Sequence, residues 1–412
     1  MEALRVAIVA GESSGAALGA SLMKALRDQL PHGAEFRGVA GAAMREAGCV
    51  ALADAHELAV MGLIEPLRHL PRLARLRGRL LREFLAWRPH VFIGVDAPAF
   101  NLGLAGRLRG HGVLTVQYVS PQIWAWRQGR VRRIARCCDL VLCLLPFEPA
   151  FYASHAVQAE FVGHPLADQA PLESDQAAAR AALGLPASGT VLALLPGSRL
   201  GEVQRLSTPF IESAQRLAQR HANLQVIAPM ATSATREEFC RALAASGAAG
   251  ALQLHVLDGQ ARTALTAADV ALVASGTATL EALLCRCPMV VAYRVSALTA
   301  WLVRSLRLVR LPRFSLPNLL AGEALAPEFF QEAAIPDNLC PAAETLLADG
   351  ARREELHRKF RAIHISLRAG GAEHAARAVL GLLGQRGVAA GGGGRERWGG
   401  CEDDAGADGG GG

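Results

Sequence analysis

The chain has 412 residues, 51% of them hydrophobic and 19% charged, with a formal net charge of +6. This is too long for one ordinary core and fits two domains of roughly 150–200 residues, and the composition excludes a chain disordered throughout. Only Lys24 and Lys359 are lysines, so nearly all the cationic charge is arginine, whose planar fork of donors suits phosphate-bearing partners.

Nine cysteines form no C-x-x-C pair, and Cys143, Cys240 and Cys285 sit in apolar runs. That points to free thiols in a reducing compartment. The chain shows no cationic leader and no apolar run of about 18 residues, so neither a cleaved signal nor a spanning helix is expected.

Strand candidates in the first half are residues 4–10, 36–39, 90–95, 113–119, 139–145 and 160–162, with helical stretches at 17–29 and 71–86. This alternation predicts βαβ units and a parallel sheet. Residues 169–189, with Pro171, Pro186 and Gly189, read as a join. A second series follows at 190–195, 224–229, 252–257, 269–274 and 288–293. The expected fold class is α/β, two Rossmann-like doubly wound domains facing across a cleft, with ligands beyond the carboxyl ends of the strands. The expected boundaries are 1–168 and 190–340 for the two domains and 169–189 for the linker. Residues 341–386 are expected to form helices that pack back on the first domain, and 387–412 a flexible glycine-rich tail.

Four segments carry candidate chemistry. Gly11-Glu12-Ser13-Ser14-Gly15 follows the first strand. Its small residues let backbone N–H groups approach a ligand, and Glu12 suits sugar hydroxyls better than phosphate. The pattern is not G-x-G-x-x-G, which disfavours a nicotinamide cofactor. Leu195-Pro196-Gly197-Ser198-Arg199-Leu200-Gly201-Glu202 opens the second half; Arg199 could clamp a leaving diphosphate, with Ser198 beside it. In Ser275-Gly276-Thr277-Ala278-Thr279-Leu280-Glu281, hydroxyls and glycine stand at a helix start, a natural diphosphate seat, and Glu281 can accept from both ribose hydroxyls. The strand 91–95 ends in Asp96-Ala97-Pro98-Ala99-Phe100-Asn101. A sugar hydroxyl needs a base to take its proton, and Asp96 at a strand tip is the choice. Each segment also has a plainer reading as an ordinary turn. No Asp-x-Asp follows a strand and no histidines cluster, so no metal and no cofactor are expected.

Residues 61–89 are rich in leucine and arginine. Pro71 suits a first helical position. Arg68, Arg72, Arg75, Arg79 and Arg82 mark one face; Leu67, Leu70, Leu73, Leu76, Leu80 and Phe84 mark an apolar one, interrupted by Arg77. Such a helix suits an anionic lipid surface, or else a core contact with a solvated basic back. A second basic stretch carries Arg304, Arg307, Arg310 and Arg313.

Together these loops resemble the lipid A disaccharide synthase family. The likeness also includes Glu57-Leu58-Ala59-Val60-Met61-Gly62, Tyr118-Val119-Ser120-Pro121, Trp124-Ala125-Trp126-Arg127-Gln128 and Leu145-Pro146-Phe147-Glu148. Val162-Gly163-His164-Pro165 and Ser315-Leu316-Pro317-Asn318-Leu319-Leu320 complete it, in order over residues 4–383. The resemblance implies a GT-B-type fold and an inverting transfer. The donor would be UDP-2,3-diacylglucosamine and the acceptor 2,3-diacylglucosamine 1-phosphate, attacked through its 6-hydroxyl. It implies Asp96 as the acid/base residue, Arg199 at the diphosphate, Glu281 and Asn318 at the nucleotide, and Glu12, Ser14 and Asn101 on the acceptor side. Peripheral inner-membrane association and a homodimer with exchanged C-terminal segments are implied as well, with no nucleic-acid partner.

Three positions depart from the family pattern: Ala16 and Ala99 replace acids, and Gly41-Ala42-Ala43-Met44 lacks the usual proline. They keep open a UDP-sugar- or lipid-binding homologue without turnover. A related UDP-GlcNAc transferase or epimerase is the other rival, and Asp96-Ala97-Pro98 with the 124–128 segment argues against it.

Overall fold

The computed structural model describes residues 3–11, 13–59, 66–124, 128–247, 250, 252–295 and 313–387. Strands β1–β7 are Leu4–Ala10, Ala34–Ala40, Cys49–Asp54, Val91–Val95, Leu114–Tyr118, Leu140–Cys143 and Ala159–Phe161. Strands β8–β13 are Val191–Leu195, Gln225–Met230, Gln253–Asp258, Val270–Ala274, Met289–Tyr293 and Glu328–Phe330. They form two sheets, in the orders β3-β2-β1-β4-β5-β6-β7 and β10-β9-β8-β11-β12-β13. In both, the chain starts centrally, winds outward, then returns to the other side, which is the doubly wound pattern. Every residue of β4, β8 and β11 is buried, as expected of parallel strands covered on both faces.

The described residues fall into two compact units divided after residue 116, with those from 376 to 387 joining the first. The stretch 169–189, expected as a join, carries the helix Gln176–Ala182. Buried Arg180 docks it, donating to the carbonyls of Ala267, Ala187 and Gly189 and pairing with Asp269 at 2.9 Å. The helix Pro336–Ala348 packs on the helix Leu200–Ala218 and on β11 and β12. The glycine-rich tail from residue 388 and the basic stretch at 301–312 lie outside the described residues.

The leucine- and arginine-rich helix runs from Pro66 to Trp87, so Pro71 stands inside it and not at its first turn. Over its C-terminal half the apolar stripe is covered by protein, which removes Leu76 from the residues expected to face a membrane. Leu76 is 6% exposed, and Leu80 and Phe84 are fully buried. Phe84 meets Phe92 of β4 at 6.2 Å between centroids. Leu73 is half-buried, and the side chains of Leu67 and Leu70 lie outside the described residues. The basic face is exposed: Arg72 pairs with Glu57 at 3.2 Å and Arg75 donates to the carbonyl of Pro71. Arg77, which interrupts the stripe, lies over the Phe100 ring at 4.9 Å and donates to the Ala99 carbonyl. It is a docking residue for the helix Pro98–Gly110. Among the described residues, no helix is long and apolar enough to cross a membrane.

If Phe84 is a core side chain, Phe84→Ala should cost about 3–5 kcal/mol. Arg82→Ala on the exposed face should change stability by less than about 0.5 kcal/mol. Denaturant unfolding of both variants measures this, and equal, small effects would return the stripe to the surface.

Candidate active site

In the first sheet, β1 and β4 are parallel, with Ala10 opposite Val95. The loop after β1 and the turn after β4 therefore leave the same edge. Asp96 and Ala97 have φ of 52° and 40°, two successive non-glycine residues in the left-handed region, at a cost of about 1–2 kcal/mol each. Pro98 then opens the next helix. A Cβ on Gly11 would collide with that of Ala97, so only glycine lets the first loop come this close. Burial raises the Asp96 carboxyl above its usual value, and a hydrogen bond from the Ala97 amide pulls it back. A buried carboxylate with a raised pKa is a better proton acceptor.

Ser14 is exposed at the start of the helix Ser13–Asp28; Glu12 lies outside the described residues. Ala16, an acid in the family pattern, is 3% exposed and packs on Gly41. Asn101 differs from its expected acceptor role. It is fully buried, and Nδ2 donates to the carbonyls of Asp96 (2.8 Å), Val9 (3.3 Å) and Val95 (3.4 Å).

In the second sheet, Val273 of β11 lies opposite Leu195 of β8, and Ala274 opposite Ala292 of β12, all parallel. The loops carrying Ser198–Arg199 and Ser275–Thr277 thus emerge side by side. The Arg199 side chain is 73% exposed, and Ser198 is exposed too. Sequence reading missed Glu202. Its Oε2 accepts from the Ser198 and Arg199 amides (3.2 and 3.3 Å), and its other oxygen lies 3.5 Å from the Arg199 guanidinium. The available signal was an acid in the first turn of the helix Leu200–Ala218, where the dipole favours it. Gly276 and Thr277 are exposed at the start of the helix Thr277–Leu284, whereas the Ser275 amide is committed to the Ala292 carbonyl. Glu281 is half-buried; burial raises its carboxyl and Arg262 lowers it.

Asn318 also departs from expectation. Nδ2 donates to Ala326 and to Glu328, both at 2.8 Å, and Oδ1 accepts from the Leu325 and Ala326 amides. All its hydrogen-bonding capacity is spent inside the protein. Glu328 in turn accepts from the Phe314 and Ser315 amides, so this pair anchors the start of the helix Leu316–Ala321. No sequence signal marked Glu328, an acid opening a three-residue edge strand.

A third overlooked carboxyl is Glu148, buried behind the turn that leaves β5. It accepts from the Trp124 indole N–H (2.9 Å) and the Leu145 amide (3.0 Å), beside a Ser120–Tyr152 hydroxyl pair at 3.0 Å. Trp124 meets Phe147 edge-on at 4.8 Å. The Trp124 and Glu148 motifs therefore brace one another. Among the described residues, no three His, Cys, Asp or Glu come together as a metal site.

Two doubly wound sheets, one with a carboxylate at a strained strand tip and one with paired loops bearing an exposed arginine, define a GT-B fold. Solved structures share it: a putative UDP-N-acetylglucosamine 2-epimerase from Listeria monocytogenes (TM-score 0.60, 13% identity, 94% of this chain and 97% of that one). The calicheamicin glycosyltransferase CalG4 is similar (TM-score 0.56, 17% identity, 94% and 100%). In sequence, the chain is 50% identical over 386 residues to the lipid-A-disaccharide synthase of Xanthomonas campestris pv. campestris, covering 94% of this chain and 88% of that one. The lipid-A-disaccharide synthetase family model matches residues 6–380, and the chain belongs to that family, glycosyltransferases of lipid A biosynthesis.

Burial lifts the Glu148 carboxyl from 4.5 to about 7, against hydrogen bonds from the Leu145 amide, Ser120 and Trp124 that lower it. The folded state therefore holds a proton that the unfolded chain has released. Stability from this group is present below about pH 4.5 and falls as pH rises toward 7, by up to about 3 kcal/mol, then stays level. Glu148→Gln should abolish that slope. Denaturant midpoints of both proteins across the window check it; parallel pH dependences would remove the buried proton.

Proposed function

We propose that the protein transfers 2,3-diacylglucosamine from UDP-2,3-diacylglucosamine to the 6-hydroxyl of 2,3-diacylglucosamine 1-phosphate. The products are the β-1′,6-linked disaccharide 1-phosphate and UDP. The observation that carries this reading is Asp96, a carboxyl raised by burial on a strained turn, in a chain of this family. Asp96 takes the proton of the acceptor hydroxyl as its oxygen bonds to the sugar C1. The C1–O bond to the diphosphate breaks on the opposite face, its electron pair passing to the β-phosphate oxygen, and configuration inverts.

Charge developing on that oxygen falls to Arg199, to the exposed Ser198 hydroxyl and to the helix-start amides around Gly276 and Thr277. Glu281 is suited to the ribose hydroxyls. The first sheet then serves the acceptor and the second the nucleotide. Both substrates are acylated, so the protein works peripherally on the cytoplasmic face of the inner membrane. The exposed arginines of the helix Pro66–Trp87 suit its anionic surface.

Turnover of the two acylated substrates by purified protein tests the reading. Asp96→Asn should lose at least about a hundredfold in rate while still binding UDP. Arg199→Ala should lose roughly a hundredfold and also weaken UDP binding. UDP binding without disaccharide formation by the unaltered chain would leave a binding protein, and an unchanged rate in Asp96→Asn would remove it as the base.

A further inference from the structure

The turn from β4 into its helix is strained. Asp96 and Ala97 both stand where an L side chain crowds its own backbone. Three carbonyl oxygens converge on one atom there. Those of Val9 at the end of β1, Val95 at the end of β4 and Asp96 in the turn all face Nδ2 of Asn101. Three acceptors around a single atom fix the amide's orientation, because only its NH2 can face them. The opposite atom, Oδ1, is buried without a partner. An apolar side chain of similar size would avoid that penalty. β4 makes room for the arrangement through Gly94, where a Cβ would stand 2.7 Å from that of Asn101. A half-satisfied amide is thus kept in the core, and what it does there is grip the backbone of Asp96.

We propose that Asn101 is a positioning residue: its buried NH2 ties the Asp96 peptide to the ends of β1 and β4 and so aims the Asp96 carboxylate at the acceptor hydroxyl. The proposal rests on Asp96 as the base. Asn101 touches no substrate, and its effect passes entirely through Asp96.

The test is a double-mutant cycle on the full chain with both acylated substrates. Asn101→Ala and the smaller change Asn101→Ser are each made alone and in an Asp96→Asn background. With Asp96 present, each should lower kcat about ten- to a hundredfold, the scale of a misaimed group, with both KM values and UDP affinity changed less than about threefold. In the Asp96→Asn background the same changes should lower kcat by less than about threefold, since the group being aimed is gone. Equal losses in both backgrounds, or a rise in KM with kcat unchanged, would overturn the proposal. Failure of both variants to fold would also overturn it, making Asn101 an element of stability alone. If Asp96→Asn itself turns over normally, the base assignment falls first, and that outcome is separately visible.

Discussion

Level endings of parallel strands govern the chemistry of this protein. Ala10 stands opposite Val95 in one sheet, and Leu195 stands near Val273 in the other. Parallel pairing sends both loops of each pair out at the same edge, where helix N-termini also gather. A one-residue slip in either pair would send every side chain to the opposite face of its sheet, against neighbours it does not fit. Packing on both faces therefore holds the register that brings these loops to one edge of each sheet.

Within that frame, buried amides do the shaping. Asn101 gathers three carbonyls at the end of one sheet, and Asn318 satisfies two amides, a carbonyl and Glu328 near the edge of the other. Both belong to motifs that carry the family likeness, and a motif residue is easily taken for a ligand contact. An asparagine supplies donors and acceptors together, so it can substitute for a missing stretch of ladder where the backbone turns. Glu148 plays a related part behind the turn after β5, where Trp124 and Leu145 converge on it.

Much of this was legible beforehand. Apolar runs bounded by glycine and proline located β1, β4, β8, β11 and β12 within a residue or two, because buried parallel strands read as continuous hydrophobic stretches. β3 and β13 escaped for opposite reasons. β3 carries exposed residues in no alternating pattern, even though Gly48 before it turns the chain at φ 81°, and β13 is three residues long at a sheet edge. Asp96 and the glycine loops were legible from their place after strands. The strain at Asp96–Ala97 was not, since a positive φ is uncommon even for aspartate and alanine gives no sign of one. Periodicity identified the apolar face of the helix Pro66–Trp87 but could not say whether protein or lipid covers it, and the contact of Phe84 with Phe92 decides for protein over its C-terminal half.

Arg77 gives that helix a further significance. Its guanidinium rests on Phe100 and bonds Ala99, the two residues just before Asn101. The arginine-rich helix and the Asp96 turn are thus linked through a shared pair of neighbours, and the same helix meets β4 through Phe84 and Phe92. Close-packed interiors have low compressibility and transmit strain. A substitution that shifts this helix would therefore be felt at the two residues that precede Asn101.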